Sequence, residues 1–299
     1  MSQQQRRDVL FMDVHGVFLT LEGKQEREIA LAGKQQWVWM IRTALAQAGA
    51  LPPQIKEALL DPYGFWDLRM RLELSTSKIE GGKVVTEKKF QERVNLRLLR
   101  KVAPAFVNSL DLGGRRRLAR QVRKLRRDAP RPPYILTPQM RELVQWLVDE
   151  DGRWMLCLTT ARSSEFAQQL LREQNAPMNL FVRVFISEQV GPPKSHPDFW
   201  IAIAKKLQSA VDRCVVLENN LVMGMTALQA GMSVIFIDRD DAIEEFISRE
   251  LGGALAGITL SSVGESLPMD GTQFVVCAKS PAGIKLCLER IKGSPRGGT

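Results

Sequence analysis

The stretch DVLFMDVHGVFLT, residues 8–20, decides the fold of this 299-residue chain. Residues 9–12 are an unbroken apolar run, which predicts a strand buried on both faces. The run ends at an acid, Asp13, and a glycine follows three residues later at Gly16, so a carboxylate is expected where the strand leaves the sheet and turns. His15 stands two residues after Asp13. In an extended segment that spacing places both side chains on the same side.

The C-terminal half of the chain repeats this pattern of short apolar strands. From Pro138 onward, predicted helices alternate with the apolar stretches WMLCLTT, LFVRVFIS, RCVVLENN, SVIFIDRD and TQFVVCAK. Strands of this length between helices predict an α/β fold, a doubly wound parallel sheet covered by helices on both faces.

Polar residues stand at the predicted carboxyl ends of four strands, the edge at which such sheets bind ligands. These residues are Asp13 and His15, Thr159 and Thr160, Lys194 with His196 in the loop VGPPKSHPDFW, and Glu218 with Asn219 and Asn220. A carboxylate can act as a nucleophile, whereas a hydroxyl and an ammonium can hold phosphoryl oxygens. Acid and amide oxygens can coordinate a hard cation.

The order and spacing of these groups resemble the haloacid dehalogenase-like (HAD) superfamily. Its pattern is a strand ending D-x-D-G-T, a strand ending in Thr or Ser, a Lys in a K-P-x-P-D-like loop, and a strand ending in acids before a helix that closes A-x-x-A-G. Here these four motifs read DVHGV, MLCLTT, GPPKSHPDFW and VVLENNLVMGMTALQAGM. The resemblance implies a HAD-like Rossmannoid core formed by residues 1–18 and 137–299. Residues 19–136 would be an inserted, mostly helical cap domain.

The resemblance also implies a phosphomonoester phosphatase that acts through an aspartyl-phosphate. Asp13 would be the nucleophile, and Thr159 and Lys194 would bind the phosphoryl group. His15 occupies the place of the second acid of the family, and histidine can transfer protons near neutral pH. The expected substrate is phosphorylated, with a nucleotide or a nucleic-acid phosphate as candidates.

The same resemblance implies a Mg²⁺ site, which the residue at position 219 weakens. Its ligands would be Asp13, the backbone carbonyl of His15, Glu218 and Asn219. Asn219 replaces a family acid, and an amide oxygen can bind magnesium without contributing charge. Val17 replaces the usual Thr. Branches such as the dehalogenases, which attack carbon, need no magnesium.

The net charge of +9 is concentrated in one segment. Residues 83–131 contain sixteen Lys and Arg against four acids, a balance of +12, so the rest of the chain carries −3. This segment predicts a polyanionic partner, with DNA or RNA phosphates as the first candidate and an acidic protein surface or anionic lipid as the alternative. The candidate contacts are the basic residues of RRRLARQVRKLRR: Arg115, Arg116, Arg117, Arg120, Arg123, Lys124, Arg126 and Arg127. A second function therefore stays open, a catalytically degraded HAD-like module that binds nucleic acid or a partner complex through this basic cap.

The remaining patterns bound the class of protein. Within the cap, LRMRLEL and KVVTEKKF, which flank STSKIEGG, are predicted to form a hairpin, and the proline-rich residues 128–138 are predicted to be a linker. Residues 293–299, GSPRGGT, are expected to be disordered. No apolar run approaches the length of a membrane span. The four cysteines are scattered without a C-x-x-C pair, so a cytoplasmic location is expected.

Overall fold

The computed structural model describes residues 8–21, 26–128, 134–151, 153–162, 164–238, 241–251, 259–261, 263 and 273–292. The chain divides into two compact units. The core unit consists of Met1–Gly23 and Pro133–Thr299, and the insert unit is Lys24–Pro132. The expected disordered tail, residues 293–299, lies outside the described residues.

Eleven strands are present among the described residues. They are Asp8–Asp13 (β1), Thr20–Leu21 (β2), Ile79–Glu80 (β3), Lys83–Val84 (β4), Tyr134–Ile135 (β5), Trp154–Thr160 (β6), Arg183–Ile186 (β7), Cys214–Glu218 (β8), Ser233–Ile237 (β9), Thr259–Ser261 (β10) and Phe274–Ala278 (β11). Seven of these form one parallel sheet in the order β10-β11-β9-β8-β1-β6-β7. The predicted parallel α/β sheet is confirmed.

β1 lies inside this sheet, between β8 and β6. All six of its residues are buried, which is why the run from Val9 to Met12 is apolar without interruption. Asp13 is paired with Thr159 in the register between β1 and β6. The carboxyl ends of these strands therefore meet at one edge of the sheet.

Helices of the core unit cover both faces of the sheet. They are Pro138–Trp146 (α6), Ser164–Glu173 (α7), Ser187–Val190 (α8), Pro197–Lys206 (α9), Leu221–Gln229 (α10), Ala242–Phe246 (α11) and Pro281–Lys292 (α12), numbered after five helices of the insert unit. On one face, Leu10 and Met12 of β1 belong to a cluster that includes residues of α6 and α12. On the other face, the Phe11 ring contacts the Trp200 ring of α9, with centroids 6.2 Å apart.

The insert unit is mostly helical and has its own apolar core. Its helices are Glu26–Gln47 (α1), Pro62–Ser75 (α2), Glu87–Val102 (α3), Pro104–Ser109 (α4) and Leu112–Asp128 (α5). Their apolar sides form one buried cluster, with Ile41, Phe65, Leu98 and Val122 among its members.

The hairpin predicted in this unit is much shorter than expected. It consists only of β3 and β4, whereas LRMRLEL lies in α2 and the KKF of KVVTEKKF lies in α3. The alternation in LRMRLEL does not separate a buried face from an exposed one, because two of its polar residues, Arg69 and Glu73, are buried. They form an ion pair one helical turn apart. The Arg69 guanidinium also lies over the Trp37 ring, 3.9 Å from its centroid.

The boundaries of the insert unit differ by a few residues from the predicted cap, 19–136. Thr20–Leu21 and Tyr134–Ile135 pair as antiparallel strands, so both flanks belong to the core unit. The segment predicted as a linker therefore contains β5. None of the helices in the described part of the chain is long and apolar enough to span a membrane.

Candidate active site

Asp13 is held by hydrogen bonds where β1 ends. Its Oδ2 atom accepts a hydrogen bond of 3.1 Å from the backbone N–H of His15, and its backbone carbonyl accepts one of 3.0 Å from Phe18. The next residue, Val14, donates to the Thr159 carbonyl at 3.0 Å. The turn after β1 is thereby fixed, and it holds the carboxylate at the carboxyl edge of the sheet.

Lys194 lies between two carboxylates. Its Nζ atom is 2.5 Å from Asp13 Oδ1 and 2.6 Å from Glu218 Oε2, and its side chain is fully buried. Burial alone would lower the pKa of Lys194, but the charges of Asp13 and Glu218 outweigh burial and raise the pKa. The lysine is therefore a fixed positive charge beside Asp13.

Three neighbouring side chains hold Lys194 in place. The Ser187 hydroxyl accepts a hydrogen bond of 3.1 Å from the Lys194 backbone N–H and lies 3.4 Å from the Thr160 carbonyl. The Lys194 carbonyl lies 3.3 Å from the Thr226 hydroxyl, which accepts a hydrogen bond from Trp200 Nε1 at 3.1 Å. These contacts explain how a loop residue can place its ammonium group at a defined point.

Glu218 is fully buried at the end of β8. Its Oε1 atom accepts hydrogen bonds of 3.1 Å from the backbone N–H groups of Asn219 and Asn220. Burial raises the pKa of Glu218 to about 7, although Lys194 acts in the opposite direction. Asp13, Lys194 and Glu218 are thus brought together, as their positions at predicted strand ends implied.

Asn219 packs against the turn of the first motif. The backbone of Gly16 has a φ of +89°, and a Cβ atom added there would lie 2.0 Å from Asn219 Nδ2. The amide side chain therefore lies beside the turn that carries Asp13 and His15.

These residues do not fit a tightly bound Mg²⁺. Each of the four carboxylate oxygens of Asp13 and Glu218 already has a hydrogen-bond donor or the Lys194 ammonium within 3.1 Å. The two carboxylates and Lys194 together carry a charge of −1 when both acids are ionised. The other candidate ligands, the Asn219 amide and the His15 carbonyl, add no charge to offset a divalent cation.

His15 lies among aromatic rings beside β6. Its imidazole stacks on Phe166 with centroids 5.2 Å apart and meets the edge of Tyr134 at 5.4 Å. Its Nδ1 atom is 3.5 Å from the hydroxyl of Thr160. Thr159 is fully buried, and its hydroxyl donates to the Met12 carbonyl at 3.3 Å. The second threonine of the motif, and not the first, contacts His15.

His196, the other histidine of the chain, caps a helix. Its Nδ1 atom accepts a hydrogen bond of 3.2 Å from the backbone N–H of Asp198 in the first turn of α9. The geometry explains this histidine as a local cap.

The eight basic residues predicted to bind a polyanion fall into two groups on α5. Five are exposed: Arg116, Arg117, Arg120, Lys124 and Arg127. Three are partly buried and have contacts inside the insert unit. Arg115 donates to the carbonyls of Val107 and Asn108, Arg123 is 3.4 Å from Glu92, and Arg126 lies over the Trp37 ring.

Comparison with solved structures identifies the fold. No protein-family model and no curated protein matches the sequence. Among solved structures, a hydrolase from Pseudomonas syringae superposes with a TM-score of 0.51 at 14% identity, over 95% of this chain and 99% of that one. A haloacid dehalogenase-like hydrolase from Bacteroides fragilis gives 0.51 at 12% identity, over 93% and 99%. Together with the sheet order and the position of the insert after β1, these similarities show that the chain has the haloacid dehalogenase-like fold.

Proposed function

We propose that this chain is a hydrolase that attacks a phosphomonoester with the carboxylate of Asp13. The observation that carries the proposal is the buried arrangement of Asp13, Lys194 and Glu218 at the carboxyl edge of the sheet. The Lys194 ammonium and the His15 backbone N–H hold the Asp13 carboxylate in one orientation, which is what a nucleophile needs. The HAD-like fold makes this edge the expected place for such chemistry.

The proposed reaction has two displacements on phosphorus. An Asp13 oxygen forms a bond to phosphorus while the bond to the leaving oxygen breaks, and protonated His15 gives that oxygen a proton. Neutral His15 then takes a proton from water as the water oxygen attacks phosphorus. The bond between phosphorus and Asp13 breaks, and the carboxylate is restored. One water molecule is consumed, and inorganic phosphate and an alcohol are released.

The test is turnover of nucleotides and of a generic aryl phosphate by the wild type and the Asp13→Asn variant. This change keeps the size of the side chain but removes the nucleophile, so turnover should be abolished. Mass spectrometry of the denatured protein after mixing with substrate should find a phosphoryl group on wild type only. If wild type shows no activity above the variant, the chain is not a phosphatase for these substrates.

We propose a second, binding function for α5. Arg116, Arg120, Lys124 and Arg127 are exposed at helical spacings of four, four and three residues, so they follow one side of the helix. Leu118, Ala119 and Val122 are buried on the other side. A row of cations along a helix fits the repeating phosphates of a nucleic-acid backbone, without base recognition.

A further inference from the structure

The imidazole ring of His15 is contacted by two aromatic rings from separate parts of the core unit. Phe166 of α7 lies nearly parallel to it, with an interplanar angle of 16°, and Tyr134 of β5 meets it edge-on at 79°. A partial rotation of the imidazole about its bond to Cβ would break the parallel stacking, whereas a half-turn would exchange the ring edges within the same plane. Such aromatic pairs contribute about 0.5–1.5 kcal/mol beyond the area that they bury. Together, the two contacts fix the plane of the ring.

Thr160 contacts one edge of the same ring. Its hydroxyl oxygen accepts a hydrogen bond of 3.0 Å from the backbone N–H of Arg162 and lies 3.5 Å from His15 Nδ1. The second lone pair of that oxygen can accept a hydrogen bond from Nδ1–H. The neutral imidazole then carries its hydrogen on Nδ1, and Nε2 is left to take the proton from water that the second displacement requires.

A histidine needs such contacts where a carboxylate does not. The two oxygens of a carboxylate are equivalent, so a rotation of 180° changes nothing. The two nitrogens of an imidazole differ, and a proton can be transferred efficiently only when the correct nitrogen faces the reacting atom.

We propose that Phe166 is a positioning residue for His15: together with Tyr134 it holds the plane of the imidazole, so that Nδ1 stays within reach of the Thr160 hydroxyl, which distinguishes the two nitrogens. The catalytic consequence rests on the proposed function, but the orientation of the ring does not. The Phe166 ring also contacts a charged group, the Arg162 guanidinium, which lies 5.7 Å from the ring centroid.

The direct test is nitrogen NMR of the His15 imidazole in the full chain. His15 and His196 are the two histidines of the chain, so a His196→Asn background, which keeps a capping side chain, leaves one imidazole to observe. We expect a single neutral tautomer in the presence of Phe166 and a mixture of tautomers in Phe166→Leu. Phe166→Tyr should restore the single tautomer, because it keeps the ring.

A matched control is Phe181→Leu. Phe181 is a core phenylalanine that packs edge-on against Phe18 at 5.2 Å, so its loss should lower stability without changing the His15 spectrum. Tyr134→Leu is a second variant that removes a contact with the imidazole, and it should also release the ring. It keeps the test possible if Phe166→Leu does not fold.

The kinetic test separates this inference from the proposed function. Phe166→Leu should lower kcat about 10- to 100-fold, as expected when a catalytic group is misplaced, and should change KM little. An unchanged His15 spectrum in both Phe166→Leu and Tyr134→Leu would overturn the inference even in an active enzyme. A wild type without phosphatase activity would overturn the proposed function. The NMR result alone would then show whether Phe166 positions the His15 ring.

Discussion

Asn219 lies so close to Gly16 that a Cβ atom at residue 16 would come within 2.0 Å of its Nδ2 atom. The pair joins the first motif to the fourth. Gly16 has a φ of +89°, a backbone conformation that L side chains rarely adopt. The turn therefore requires glycine for its backbone conformation, and a Cβ atom would in addition force the Asn219 side chain to move.

Gly16→Ala should destabilise the protein by about 2–4 kcal/mol, the sum of backbone strain and overpacking against Asn219. Two other glycines separate these causes, because a Cβ atom at either would meet nothing within 4 Å. Gly49 has a φ of +89°, so Gly49→Ala should cost only the strain, about 1–2 kcal/mol. Gly33 lies in α1, and Gly33→Ala should stabilise by up to about 1 kcal/mol. Urea unfolding of the three variants tests the order, and equal losses at Gly16 and Gly49 would exclude the steric contribution.

Asn219→Asp should raise the affinity for Mg²⁺, because it adds a negative charge beside Asp13 and Glu218 without changing the size of the side chain. Calorimetry of wild type and variant measures the difference. Asn220→Asp is the control, since it adds the same charge one residue further on. The Asn220 side chain caps α10 by accepting from Met223 N–H, and aspartate can do the same. Equally tight binding by wild type and both variants would show that residue 219 does not contact the ion.

The fold and the acid–lysine–acid centre could be predicted because both follow from local patterns. A buried parallel strand needs an apolar run, and a polar residue directly after such a run must lie at the edge of the sheet. Asp13 and Glu218 follow this rule. Lys194 does not, because it lies in the loop between α8 and α9, and it was predicted from the resemblance of that loop to the third motif of the family. The apolar run from Val9 to Met12 likewise indicated a buried strand.

The supporting side chains could not be found in this way. Ser187 and Thr226 fix Lys194 from two different helices, and such hydroxyls have no distinctive sequence pattern. Tyr134 lies in a proline-rich segment that predicted a linker, and its ring contact depends on the pairing of β2 with β5. Charge counting likewise identified the basic helix but could not show that Arg115 is used to bind backbone carbonyls.

The buried cysteines should be unreactive in the folded protein. Burial raises the pKa of both Cys157 and Cys214 from 9.0 to about 12, and the thiolate is the reactive form. At pH 8 a disulfide reagent should label neither residue until denaturant is added, as peptide mapping by mass spectrometry can show. These pKa values are higher in the folded state than in the unfolded state. Ionisation of the thiols therefore leaves the free energy of unfolding unchanged below pH 9 and lowers it as the pH rises from 9 toward 12. Rapid labelling of either thiol in native buffer would contradict the burial.

The exposed row on α5 should control binding to nucleic acid. Changing Arg116, Arg120, Lys124 and Arg127 to Gln removes four cations and leaves the buried side of the helix intact. For duplex DNA of mixed sequence, affinity at low salt should fall. The slope of log K against log salt concentration should become shallower by about 0.9 for each DNA phosphate that the variant no longer neutralises. Fluorescence anisotropy across a salt series measures both quantities.

The control for that variant must remove the same charge elsewhere, because any drop in net charge weakens attraction to a polyanion. The control variant changes four exposed basic residues of the core unit to Gln: Arg172, Lys205, Lys206 and Arg290. If α5 binds phosphates directly, only the α5 variant should change the salt slope, since counterions are released where phosphates are neutralised. Equal decreases in affinity for both variants would mean that the net charge, and not the row on α5, attracts the nucleic acid. A wild type that binds neither DNA nor RNA at low salt would rule out the binding function altogether.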